Sequence, residues 1–125
     1  GMNDTLPPLT RELGFERGMK CWFRDLPDDV RNALAPEKAG LEELAAPSAG
    51  IEGALIFVDD SQTLTSELNA FHELLDTNGF VWVAFGGELT ESAVLDAASP
   101  CDMVHAGSVT LAGRRAVKLA HQPGH

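Results

Sequence analysis

Two short runs constrain this chain more than any other feature of it. Gly53-Ala-Leu-Ile-Phe-Val58 and Phe80-Val-Trp-Val-Ala-Phe85 carry no polar side chain at any position. A strand that is apolar on both faces has to be covered on both faces, which marks an interior strand of a parallel sheet. Parallel neighbours need a crossover, and the segment between the runs supplies one. Asp59-Asp60-Ser61 ends the first run and offers side-chain oxygens to cap a helix. Leu64, Leu68, Phe71 and Leu75 follow at helical spacing as one apolar stripe. Asn78-Gly79 supplies a left-handed stop before the second run. The spacing predicts a βαβ unit.

The flanks extend that unit. Leu9 to Phe15 forms a short helix closed by Gly14 or by the Arg17-Gly18 turn. Met19 to Arg24 reads as a strand, with Met19, Cys21 and Phe23 on one face and Lys20, Trp22 and Arg24 on the other. Pro27-Asp28-Asp29 opens a helix to about Leu34, with proline in the first turn and carboxylates at the positive end of the dipole. Gly40 to Ala46 fits either a short strand or a weak helix. After Gly86-Gly87, Thr90 caps a helix that runs to about Ala98 and is closed by Pro100. Met103 to Thr110 and Ala116 to Ala120 form an antiparallel pair turning at Gly113. The expected fold is α/β: a three-layer, Rossmann-like domain over residues 9–121, its sheet mostly parallel with a C-terminal antiparallel hairpin. Residues 1–8 are expected to be a loose leader, with Gly1 left from a tag, and residues 122–125 a frayed tail.

Charge and cysteines narrow the function classes. The chain has 125 residues, with 9 Lys and Arg against 19 Asp and Glu, for a formal charge of −10. That balance argues against non-specific nucleic-acid binding and against docking on anionic lipid. No apolar run approaches a membrane span. No Lys or Arg occurs from Ala39 to Gly113, a stretch holding twelve carboxylates, while Arg114, Arg115 and Lys118 follow without an acid. The plain reading is a solvated acidic surface. The sharper one is a basic hairpin end that meets an acidic face of another copy or of a protein partner. Cys21 and Cys101 are eighty positions apart, both in apolar strand-like runs, and read as buried free thiols, which places the chain in the cytoplasm.

A resemblance adds to this. Leu13-Gly14-Phe15 with Gly18, the run Gly53 to Asp60, Asn78-Gly79-Phe-Val-Trp-Val83, Ala97-Ala98-Ser99-Pro100 and the final strand pair together carry it. In order of elements the chain is similar to a class I S-adenosylmethionine-dependent methyltransferase with its front cut down. It looks closer to a family of small bacterial proteins of the domain-of-unknown-function 3052 type, over roughly residues 9–120. The resemblance implies a shrunken methyltransferase-like Rossmann fold and no established activity. Gly86-Gly87 stands where members of that family often carry Pro-Lys, so no role of that lysine carries over.

Against the methyltransferase chemistry stands the first strand-to-helix turn. Cofactor turns use glycine because the backbone must approach the ligand without a Cβ between them. Here the turn is Phe23-Arg24-Asp25-Leu26-Pro27-Asp28, without glycine and with a bulky Leu26 and a stiff Pro27. The acid that would grip ribose hydroxyls should end the second strand, where Glu42 and Glu43 lie in a weak segment. No phosphate-binding loop, nucleophile elbow, Cys-x-x-Cys pair or zinc spacing occurs. His72 reads as a helix-flank residue, and Trp22 and Trp82 as core side chains rather than stacking platforms. The remaining candidates sit at carboxyl ends of strands, where open α/β sheets bind ligands: Asp25, Asp59, Asp60, Ser61, Gly86 and Gly87. Each also has a purely structural reading, as helix caps or turns. The sequence therefore points to a non-catalytic domain without cofactor or metal, acting through a protein partner or self-association. The alternative is a nucleoside or small-molecule binder, or a weak S-adenosylmethionine-dependent methyltransferase, using that edge.

Overall fold

In the computed structural model, residues 5–123 are described. The leader's Gly1 to Asp4 and the tail's Gly124 and His125 lie outside them. The order is α1 (Pro8–Glu12), β1 (Lys20–Arg24), α2 (Asp28–Leu34), α3 (Pro36–Ala39), β2 (Glu42–Glu43), β3 (Ile51–Val58), α4 (Ser61–Leu74), β4 (Leu75–Phe85), α5 (Glu91–Ala98), β5 (Met103–Leu111) and β6 (Arg114–His121). The strands form one sheet in the order β2-β1-β3-β4-β6-β5. β2, β1, β3 and β4 pair in parallel, β6 runs antiparallel to β4, and β5 antiparallel to β6. This is the expected mixed α/β sheet with its closing hairpin.

The two apolar runs are covered on both sides, as their composition requires. Ala54, Ile56, Val58, Val81 and Val83 pack under Leu64, Leu68 and Phe71 of α4 and Val94 and Ala98 of α5. Leu55, Phe57, Phe80, Trp82 and Ala84 pack on the opposite face with Leu13, Phe15, Val30, Leu34 and Ala39. Two long-range bonds tie the first elements down. Thr10 donates its buried hydroxyl to the Leu34 carbonyl at 2.6 Å, and Trp82 Nε1 donates to the Leu13 carbonyl at 2.7 Å.

Several local expectations give way to tertiary packing. Helix α4 ends at Leu74, and Leu75 is already extended and paired with Ile51. Asn78-Gly79 is therefore no helix cap. It lies in an irregular stretch of β4, between the pairs Ile51–Leu75 and Gly53–Phe80. Gly79 is needed there for room, because a Cβ would stand 2.8 Å from the Ile51 carbonyl oxygen. Pro36 starts a one-turn helix, α3, after Ala35 takes a left-handed conformation. The ambiguous segment from Gly40 to Ala46 resolves as the two-residue strand β2. Cys101 lies in a 3-10 turn, Ser99–Cys101, rather than in a strand. Among the described residues, no helix is long and apolar enough to cross a membrane.

Candidate functional site

Strand order places the three candidate turns on one edge. Asp25 follows β1, Asp59-Asp60-Ser61 follows β3 and Gly86-Gly87 follows β4, and these strands are parallel neighbours. The order reverses between β1 and β3, since β2 lies on the far side of β1. That gap is where a doubly wound sheet offers its crevice.

At the β3–β4 half of the edge, both aspartates and the N–H groups of Ser61 and Gly86 are engaged within the chain. Asp60 caps α4, its carboxylate accepting from the Thr63 N–H at 2.6 Å. This bond holds the Asp60 carboxyl below its ordinary range, with the Thr63 hydroxyl adding to the effect. Asp59 instead faces Arg114, whose Nη1 donates to its Oδ1 at 2.9 Å. The two carboxylates thus serve different partners, and no group of three or more His, Cys, Asp or Glu among the described residues is placed to hold a metal. The Ser61 N–H donates to Glu88 Oε2 at 3.2 Å, and the Glu88 N–H donates to the Asp59 carbonyl at 3.2 Å. The double glycine makes room for these contacts. A Cβ on Gly86 would stand 2.9 Å from Arg114 Nη1 and 3.1 Å from Asp59 Oδ1. One on Gly87, whose φ is +59°, would stand 2.6 Å from the Asp59 carbonyl oxygen.

Arg114 is the site residue the sequence reading missed. Its guanidinium lies 5.4 Å from the centre of the Phe57 ring, between the ends of β3 and β4. The signal was present in the topology. β6 is antiparallel to β4, so its first residue starts at the edge where β4 finishes. Arg115 pairs with Glu91, and Lys118 stands 4.6 Å from the Phe80 ring centre. Each hairpin cation therefore has a partner within its own chain.

At the β1–β3 half, side chains occupy the turn. Asp25 is left-handed, with φ 55°, a conformation aspartate tolerates better than most residues. Leu26 packs on the cluster beneath α2, and Trp22 on the one beneath α4. Arg24 reaches toward Glu67 of α4, Nη1 to Oε2 at 3.8 Å, and toward Asp25 at 3.6 Å. Trp22 Nε1 donates to the other Glu67 oxygen at 3.3 Å. Arg24 Nε is buried without a hydrogen-bond partner.

The second strand does not reach this edge. Glu43 is registered with Cys21, three residues short of the end of β1 at Arg24. At about 3.3 Å per residue it stands roughly 10 Å below. Its carboxylate is clamped by Arg31 in a two-pronged pair at 2.9 and 3.0 Å. The residues that would hold an S-adenosyl cofactor in such a fold are thus poorly matched to it. The turn is filled by side chains, and the acid is both low and taken.

The other groups are dispersed. Cys21 and Cys101 are buried free thiols in clusters on opposite faces of the sheet. Burial pushes the Cys21 thiol up to about 12, with Glu52 adding to it, and raises that of Cys101. His72 Nε2 lies 3.6 Å from Asp102, and His105 is exposed on β5. A cavity of about 770 Å³ opens at the opposite edge of the sheet, lined by His72, Thr77, Asn78, Asp102 and His121 among others.

Structural comparison finds methyltransferases. The chain superposes on a ribosomal-protein methylase from Lactobacillus delbrueckii subsp. bulgaricus with TM-score 0.62 and 10% identity, covering 91% of this chain and 75% of that one. A TehB-like S-adenosylmethionine-dependent methyltransferase from Corynebacterium glutamicum gives TM-score 0.56 and 9% identity, over 91% and 85%. A pericyclic reaction enzyme gives TM-score 0.56 and 12% identity, over 92% of this chain but only 47% of its own. The chain thus spans about half the length of some of the proteins it resembles. No protein-family model and no curated protein sequence matches it. These likenesses establish a methyltransferase-like, Rossmann-type fold.

Proposed function

We propose that the chain is a methyltransferase-like domain that has given up the nucleoside crevice and acts through protein association. The observation that carries this is the turn after β1. Leu26 and Pro27 stand where the fold needs bare backbone, and β2 stops roughly 10 Å short of the edge. We also assign it to the bacterial domain-of-unknown-function 3052 type, on the pattern from Leu13-Gly14-Phe15 through the final strand pair, and to the cytoplasm, where Cys21 and Cys101 stay reduced. A fold alone does not confer activity, and the pericyclic enzyme illustrates that this scaffold hosts unlike chemistries.

One observation favours a second reading, a small polar ligand in the same gap. Arg24 Nε is buried and makes no hydrogen bond, the Asp25 carboxylate standing 3.6 Å away as an ion-pair partner, and a closer acceptor on a ligand would satisfy it. Thermal shift and calorimetry with S-adenosylmethionine, S-adenosylhomocysteine, nucleotides and divalent metals separate the two. A ligand at 100 times its Kd adds about 2.7 kcal/mol to stability, which for a chain this size lifts Tm by about 10 °C. The first reading expects no shift with any of them. A saturable shift with either S-adenosyl compound, lost in Arg24→Ala, overturns it.

A further inference from the structure

The cavity of about 770 Å³ lies where the parallel strands begin, on the edge opposite the crevice. A fault in the sheet opens it. Asp76, Thr77, Asn78 and Gly79 of β4 stand opposite a single β3 residue, Glu52, so the chain leaves the ladder there. β6 is last paired with β4 at Ala120, and His121 and Gln122 carry the other wall past that point. Both walls are pinned. The Gln122 N–H donates to the Asp102 carbonyl at 2.9 Å, and the His121 ring meets the Leu75 carbonyl through Nε2 at 3.1 Å. A hollow of this size holds a small organic molecule.

The lining decides which kind. It contains one carboxylate, Asp102, and no Lys or Arg. A carbonyl only accepts, so His121 Nε2 carries the proton and Nδ1 of the neutral ring is left as an acceptor. His72 turns its own Nε2 to Asp102 Oδ2 at 3.6 Å, which leaves its Nδ1 in the same role. The side chains of Thr77, Asn78 and Gln122 make no hydrogen bond within the described residues. A phosphate or carboxylate finds no Lys or Arg here, in a chain of net charge −10. A metal ion needs several converging ligands, and no group of three or more His, Cys, Asp or Glu among the described residues supplies them. A protonated amine asks for less: its N–H groups donate, and one carboxylate with neutral acceptors beside it satisfies them. We propose that this cavity binds a small organic molecule through a protonated amine, with Asp102 as counter-ion and the His72 and His121 rings as flanking acceptors. The site goes beyond the association reading and does not depend on it, since it shares no residue with the crevice.

Aminobutanol, butanediol and hydroxybutyrate test this, being matched in length and ending in an ammonium, a hydroxyl and a carboxylate. Calorimetry on the full chain, with each probe titrated to about 10 mM to span modest affinities, should give saturable binding of aminobutanol and none of hydroxybutyrate. Butanediol should bind at least about tenfold more weakly than aminobutanol, the loss expected of one charge-assisted hydrogen bond. On adding aminobutanol, amide shifts in NMR spectra of the unaltered chain should centre on Thr77 to Gly79, Asp102 and Gln122. Asp102→Asn should weaken binding about tenfold. Asparagine tolerates the left-handed φ of 58° at this position, so the variant keeps the fold. Asp96→Asn removes the same charge from an exposed position of α5 outside the cavity and should leave the affinity unchanged. The proposal is overturned by an absence of saturable aminobutanol binding, by a diol or hydroxy acid that binds as tightly, by equal losses in the two variants, or by amide shifts centred elsewhere.

Discussion

Gly53 lies in the middle of β3, where an alanine would meet two aromatic rings. Its added Cβ would stand 2.8 and 3.0 Å from Phe15 Cε1 and Cδ1 and 3.0 Å from Phe80 Cζ. Those rings are themselves packed together, with centroids 5.2 Å apart, and Phe15 also meets Phe23 edge-on at 5.7 Å. Neither can swing away freely, because Phe15 is fully buried and Phe80 nearly so. Overpacking of this kind costs about 1–3 kcal/mol. Replacing glycine also stiffens the unfolded chain, which returns about 0.4–1 kcal/mol. The φ of Gly53 is not in the left-handed region, so no backbone strain adds to the balance. Gly53→Ala should therefore destabilise by about 1–2 kcal/mol, which at an ordinary urea m-value moves the midpoint down by about 1 M.

Equilibrium urea unfolding read by tryptophan fluorescence and circular dichroism tests this. The attribution to Phe15 is tested by a cycle with Phe15→Leu. If the ring is what the methyl group strikes, the alanine costs less in the leucine background, with a coupling of at least about 0.5 kcal/mol. A neutral or stabilising Gly53→Ala would refute the packing argument, and additive costs would refute the role of Phe15.

Three further outcomes follow from single contacts. Trp82→Phe leaves the Leu13 carbonyl buried without its donor and should cost about 1–3 kcal/mol in urea unfolding; no loss would mean that the bond does not anchor the first helix. Asp60 has its folded-state pKa held below the ordinary value of 3.8, so its cap stabilises above about pH 4 and is lost as the pH falls through the lower folded value. Asp60→Asn should flatten the decline of Tm between about pH 5 and 3, and an unchanged slope would refute the linkage. Cys21 is fully buried, with its thiol pushed up to about 12. Its labelling by Ellman's reagent near pH 8 should therefore follow global unfolding, and rapid labelling of the native chain would contradict that burial.

What the residues disclosed locally was what depends on neighbours in sequence. The apolar runs of β3 and β4 had to be interior strands, and Asp60 and Thr90 had to cap, because both decisions rest on composition and on contacts three residues away. The end of α4 was a different matter. Asn78-Gly79 carries a good left-handed signal, but Leu75 gains more by pairing with Ile51, twenty-four positions earlier, and that partner is invisible to periodicity. The height of β2 was hidden for the same reason. Glu43 is acidic and ends the second strand, as the cofactor pattern asks, but its register with Cys21 decides what it can reach.

The candidate site repeats this division. That Asp25, Asp59, Asp60, Ser61, Gly86 and Gly87 share one edge follows from the order of elements alone. What fills the edge does not, because Arg114 arrives fifty-five residues after Asp59. The uneven charge of the sequence explains where such residues come from. The stretch from Ala39 to Gly113 has acids and no Lys or Arg, so its carboxylates must draw any Lys or Arg partner from outside. Arg24 goes to Glu67, Arg31 to Glu43, Arg114 to Asp59 and Arg115 to Glu91. All four join one end of the chain to its middle. Pairs this exposed add little stability singly. Their effect is on specificity, since a slipped β6 would leave Asp59 and Glu91 facing solvent and set Arg114 against no acceptor. The segregation of charge along the chain is thus a pairing rule that closes the carboxyl edge with the chain's own cations.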